Sequence, residues 1–172
     1  GSRICSLTNE TNYPEVGQMN TQRFDPTKFT VNSAKPLPVL LMLDVSHSMN
    51  EVIGGSFERT GRTLVEDGNT WEVVTGGVTR IQVLNQAVQD MISSLAAEEK
   101  LGNEFLVSVI TFGQDVRTHM RPTSAAKVNW KDLKAEGMTP LGEAIRLAKT
   151  LIEDKETTPS RAYRPVVVLA SD

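Results

Sequence analysis

The chain has 172 residues, of which 39% are hydrophobic and 23% charged, a globular composition that excludes disorder over most of its length. That is about one domain of chain, enough to bury about 70% of the surface exposed on unfolding, so a core forms without staples. The net charge of −3, from 18 Lys and Arg against 21 Asp and Glu with no basic run, argues against a nucleic-acid binder that neutralises phosphates. The lone Cys5 has no internal disulfide partner, which favours a reducing compartment and excludes a cysteine-rich zinc module. The longest apolar runs, Val39 to Leu43 and Val166 to Ala170, are too short to span a bilayer. No apolar leader follows Gly1-Ser2, which reads as a cloning remnant, so the expectation is a soluble, cytoplasmic domain without a membrane anchor.

Residues 1–36 are polar and interrupted by Pro14, Gly17, Pro26 and Pro36, and read as an irregular N-terminal arm with a short extended piece at Lys28 to Val31. A domain over 37–172 follows. The run from Pro38 through Leu43 ends on Asp44, and an unbroken apolar run predicts a strand buried on both faces, as in a helix-covered parallel sheet. Residues 51–79 fit neither helix nor core strand. There Thr63 to Glu66 and Thr70 to Val74 flank Asp67-Gly68-Asn69, which predicts a β-hairpin inserted after the first strand. Ile81, Leu84, Val88, Met91, Ile92 and Leu95 then recur at helical spacing, with Gly102 beyond the end. A second buried strand is predicted at Phe105 to Phe112 and a short edge strand at Val116 to Met120. A helix is predicted from Pro140, at its first position, to about Asp154, and a last buried strand at Pro165 to Ala170. Strands alternating with helices mean an α/β, Rossmann-like fold with a mostly parallel sheet.

Chemistry-bearing residues gather at the carboxyl ends of these strands or at a helix start, where ligands bind in open α/β sheets. They are Asp44, Ser46 and Ser48 after the first strand, Thr139 before the second helix, and Asp172 after the last strand. Two carboxylates and three hydroxyls form an all-oxygen set suited to Mg²⁺, with Mn²⁺ or Ca²⁺ as alternatives, rather than to zinc or copper. Taken singly, each has a plainer role: Ser46, Ser48 and Thr139 as helix caps, Asp172 as a loop carboxylate. Only their combination at matching positions points to a metal.

The pattern Asp44-Val-Ser46-His-Ser48, then Thr139, then Asp172 resembles the metal-ion-dependent adhesion site (MIDAS) of von Willebrand factor A (vWA) domains. The words Val107 to Gly113, Gly137 to Ile145 and Arg164 to Asp172 strengthen it and look most like small bacterial vWA proteins of the tellurite-resistance TerY type. The resemblance implies an ion held at the top of the sheet by Asp44, Ser46, Ser48, Thr139 and Asp172. It also implies a partner protein that offers an Asp or Glu carboxylate, and binding rather than catalysis, in a scaffold or stress-associated adaptor. His47 stands where the family usually has Gly and is expected to face solvent. His119 is expected on the edge strand. The insertion at 51–79 is expected to overhang the ion, either as a partner-selecting flap or as a tolerated surface hairpin.

The family pattern continues past the last aspartate, whereas this chain ends at Asp172. A trimmed piece, a split domain completed by a second chain beside 166–170, and replacement of the further strands by the arm all remain open, the last being disfavoured by the arm's polarity. The enzyme alternative is a haloacid-dehalogenase-like, Mg²⁺-dependent phosphatase with Asp44 as nucleophile. That chemistry wants a second acid two residues on, where this chain has Ser46.

Overall fold

The computed structural model describes residues 35–66 and 68–172. Almost all of the expected N-terminal arm, including Lys28 to Val31, and the hairpin residue Asp67 therefore lie outside the described residues.

Strand β1 (Leu37–Asp44) is the centre of the fold. Its apolar run serves two faces at once, because successive side chains of a strand point to opposite sides. Val39, Leu41 and Leu43 join one cluster with Ile81, Val88 and Ile92, while Leu40 and Met42 join another with Ala144 and Ala148. Each such side chain taken fully from water contributes about 1.5–3 kcal/mol, so both clusters matter to stability. Helix α1 (Arg80–Glu99) covers the first face and helix α2 (Leu141–Glu153) the second.

Strands β4 (Phe105–Phe112) and β6 (Val166–Ala170) flank β1, both parallel to it, with Asp44 level with Phe112 and Leu43 level with Ala170. Strand β5 (Val116–Ser124) lies antiparallel on β4, giving the sheet order β5-β4-β1-β6. This is the mostly parallel α/β sheet the sequence predicts. β5 runs four residues past its predicted end at Met120 and tolerates Pro122 because it is an edge strand. His119 sits on it, packed edge-on to Trp130 at 5.8 Å. Burial, then the neighbouring Arg117 and Lys131 charges, hold its pKa below the usual histidine value. The strand predicted at Pro165 to Ala170 forms over Val166–Ala170, but it is not buried as expected: it lies at the other edge of the described sheet, with Val166, Val167 and Leu169 44%, 45% and 50% exposed.

Helix α1 begins with a capping box: the Thr79 hydroxyl accepts from the Gln82 amide, and the Gln82 side chain accepts from the Thr79 amide. Helix α2 begins one residue later than predicted. Pro140 occupies the capping position at ψ 58°, outside the helical region, and no side chain caps this end. At the far end of α1, the Glu99 carboxylate accepts from the amides of Phe105, Ala125 and Ala126 and from the Ser124 hydroxyl. Burial pushes its pKa up, but these bonds, led by the Ala126 and Phe105 amides, outweigh it and leave the pKa below the usual carboxylate value.

The insertion is a hairpin much longer than the sequence suggests, β2 (Val52–Glu66) paired antiparallel with β3 (Asn69–Thr79). Glu66 pairs with Asn69, and Gly68 between them has φ +78°, a left-handed conformation that glycine adopts without strain. Between Val52 and Glu66 the whole of β2 is exposed.

Candidate metal centre

Asp44 ends β1 wholly buried, and the chain then turns through Val45 and Ser46 into a short 3-10 turn, His47–Asn50. The Asp44 carboxylate accepts from the Ser46 amide at 2.7 Å and from the Ser171 hydroxyl at 2.6 Å. A carboxylate offers about four acceptor positions, so these two bonds leave half of them for something else. Among the described residues no Lys, Arg or His pairs with it. A buried charge without a cation is costly, and a divalent ion is the natural compensation.

The serine hydroxyls follow on the same loop. Ser46 Oγ and Ser48 Oγ are 3.1 Å apart, and neither the 3-10 turn nor α2 is capped by a side chain. The plainer capping roles weighed for Ser46 and Thr139 are therefore not filled at these helix starts. Ser46, Ser48 and Thr139 together line one recess of about 210 Å³. Among the described residues no three His, Cys, Asp or Glu side chains gather for a metal. Of the five expected ligands, the three hydroxyl residues share this recess, while Asp44 and Asp172 do not line it; oxygen donors of this kind are the chemistry that a hard cation accepts.

Asp172 stands apart from the recess. Its carboxylate lies 3.4 Å from Arg80 Nη1, which also pairs with Glu51 and reaches the Ser48 carbonyl at 3.5 Å. Asp172 is thus joined to the metal loop through Arg80, while its neighbour Ser171 touches Asp44 directly. Sequence reasoning missed Ser171. The register of β6 on β1 holds the signal, since pairing Leu43 with Ala170 brings Ser171 level with Asp44.

Thr139 reaches the recess on a segment, residues 128–139, that has no helix or strand of its own. Asn85 of α1 bonds both the amide and the carbonyl of Leu133, at 2.8 and 3.0 Å. Further on, the Glu136 amide donates to the Val45 carbonyl and the His47 amide to the Gly137 carbonyl, at 2.6 and 2.7 Å. Main chains meet so closely here that a Cβ on Gly137, already at φ +82°, would stand 2.2 Å from Gln114 Cα. A Cβ on Gly113 would meet the Glu136 and Val45 carbonyls at 2.6 and 2.7 Å. Glycine at these positions lets three loops share one floor.

His47 does not face solvent as expected. Its side chain is 18% exposed, with Nδ1 2.6 Å from Glu66 Oε2 and the ring edge-on to Trp71 at 4.8 Å. The hairpin thus reaches the loop that carries Ser46 and Ser48 and touches it.

Three comparisons with known proteins bear on this geometry. The von Willebrand factor type A domain family matches residues 39–172, most of the chain. No curated protein matches the chain. Among solved structures, the crystal structure of an uncharacterised membrane-spanning protein from Vibrio fischeri is similar over 67% of this chain and 48% of that one, at 18% identity and a TM-score of 0.38. The chain spans about half the length of that protein. Among the described residues no helix is long and apolar enough to cross a membrane. Domains of the matched type are commonly metal-dependent protein-interaction modules, which accords with an oxygen-rich recess at the carboxyl edge of the sheet. The chain belongs to the von Willebrand factor type A domain family.

Proposed function

We propose that this domain binds a partner protein through a divalent cation, Mg²⁺ by the hardness of its donors, with Mn²⁺ or Ca²⁺ as alternatives. Asp44, Ser46, Ser48 and Thr139 would hold the ion, with Asp172 acting from behind through Arg80. Bound there, the ion supplies a coordination position that an incoming Asp or Glu carboxylate fills in place of water. The buried Asp44 carboxylate, with two hydrogen bonds and no cationic partner among the described residues, is the observation that carries this reading. Ser46 and Ser48 present neutral oxygens, so the set keeps net charge low and leaves room for a visiting acid.

The role is binding rather than bond cleavage. The phosphatase alternative needs an acid where Ser46 stands and gains nothing from the family match. The motif words shared with TerY-type proteins favour a bacterial, cytoplasmic setting and an adaptor or scaffold role.

Calorimetric titration with Mg²⁺ tests the reading on wild type and Asp44→Asn, each checked for fold by circular dichroism. The expected result is saturable binding by the wild type, weakened at least about ten-fold in the variant, the scale of losing one charged ligand. Indistinguishable titrations would remove the site.

A further inference from the structure

The first strand of the inserted hairpin is exposed along nearly its whole length, yet the hairpin tip rests on the loop that carries Ser46 and Ser48. Along β2 only the two ends, Val52 and Glu66, are partly covered. The covered tip residue is an acid, and it lines the same recess as Ser46, Ser48 and Thr139. β3 is partly buried at Trp71, Val73, Val74, Gly77 and Thr79, and at the tip the Glu66–His47 pair and the Trp71 ring are the contacts that meet the loop.

The two departures of this chain from the family pattern, a histidine inside the serine motif and an insertion after it, are therefore in contact. Glycine in place of His47 would offer the hairpin nothing to hold. Histidine supplies a nitrogen for the Glu66 carboxylate and a ring for Trp71. Together they bring into the recess the same chemical group that the proposed partner would bring.

We propose that Glu66 is the domain's own acidic occupant: its carboxylate stands in the approach to the ion, and a partner's Asp or Glu gains the site only when the hairpin tip lifts off His47. This rests on the metal-dependent binding role proposed above and adds its regulation. A tethered acid competes at an effective concentration in the millimolar range, enough to exclude a weak visitor and to yield to a tight one. Partners that also grip the hairpin gain the most, because they meet the cost of opening it.

The test uses Mn²⁺ as the ion and acetate as the visiting acid, followed by water-proton relaxation at about physiological salt, where distant charges are screened. Wild type, Glu66→Gln and Glu72→Gln are compared. Glu72 is an acid on the same hairpin paired with Arg59, outside the recess. In Glu66→Gln, Mn²⁺ still binds, its relaxation enhancement rises as water enters, and acetate binds at least about five-fold more tightly. That factor corresponds to a wild-type site open about one fifth of the time. Glu72→Gln matches the wild type. Should Mn²⁺ bind all three proteins while acetate affinity stays equal, Glu66 is only a wall of the recess, and the metal site stands without its lid. An equal gain in Glu72→Gln would make the effect one of general charge and would also overturn the proposal. Were the wild type to bind no Mn²⁺ at all, the metal role itself fails and the lid with it.

Discussion

Replacing Asn85 by Ala probes how Thr139 is brought to the recess. Asn85 is 7% exposed on α1, and its side chain closes a two-bond ring with Leu133, itself 7% exposed, in a segment without secondary structure. Truncation removes two bonds worth about 1 kcal/mol each and leaves a buried amide and carbonyl whose orphaning costs about 1–3 kcal/mol apiece. Water entering the vacated space recovers part of this, so the expected loss is about 3 kcal/mol, a large share of the roughly 5–15 kcal/mol that holds a domain together. Urea unfolding at an unchanged slope measures it, with Gln86→Ala as control. Gln86 only reaches Asp90 on the exposed face, so its loss stays within about 0.5 kcal/mol of wild type. Mg²⁺ titration of the same variant should show affinity lowered several-fold, because the segment that Asn85 anchors carries Thr139. An Asn85→Ala protein within about 0.5 kcal/mol of wild type, with unaltered Mg²⁺ affinity, would refute this account of the loop.

The floor of the site makes a second test. Gly137→Ala combines a left-handed backbone with an overlap on Gln114, whereas Gly61→Ala meets a similar φ of +69° with nothing nearby. Thermal melts should show the Gly61 change costing about 1 kcal/mol and the Gly137 change at least about 3, and equal shifts would mean the loops separate freely. Glu99→Gln should cost about 1–2 kcal/mol at neutral pH, since the amide keeps one acceptor oxygen where the carboxylate uses two. Folding lowers the Glu99 pKa, so its stabilisation is present above the unfolded carboxylate value and fades as pH falls through the folded one. The gap between wild type and variant, followed by denaturation across that acid range, should close, and a gap independent of pH would contradict the assigned bonds.

The sheet was legible because its cause is local. Val39 to Leu43 and Phe105 to Phe112 are apolar at every or nearly every position, and only a strand covered on both faces uses such a run. The recess residues Ser46, Ser48 and Thr139 were legible because they fall after a strand or before a helix, which topology brings to one rim. What stayed hidden depends on distant partners. His47 reads as an exposed loop residue until the hairpin returns Glu66 and Trp71 to it from far along the chain. Asn85 reads as one more polar helix position, because the segment it anchors lies well beyond β4 and β5. The hairpin's length was illegible for another reason. Exposed on both faces and shifted in register by bulges, its first strand carries no alternation for a pattern to detect.

The close meeting of main chains at Gly113 and Gly137 has a consequence for how such a domain diversifies. At the two glycines the loops meet through carbonyls and amides, which the replacement of a neighbouring side chain leaves in place. The rim is different. Met138, Trp71 and the histidine beside the serines are side chains that line the recess above that junction. Side chains at the border of the recess can therefore change while the main-chain junction beneath them stays as it is.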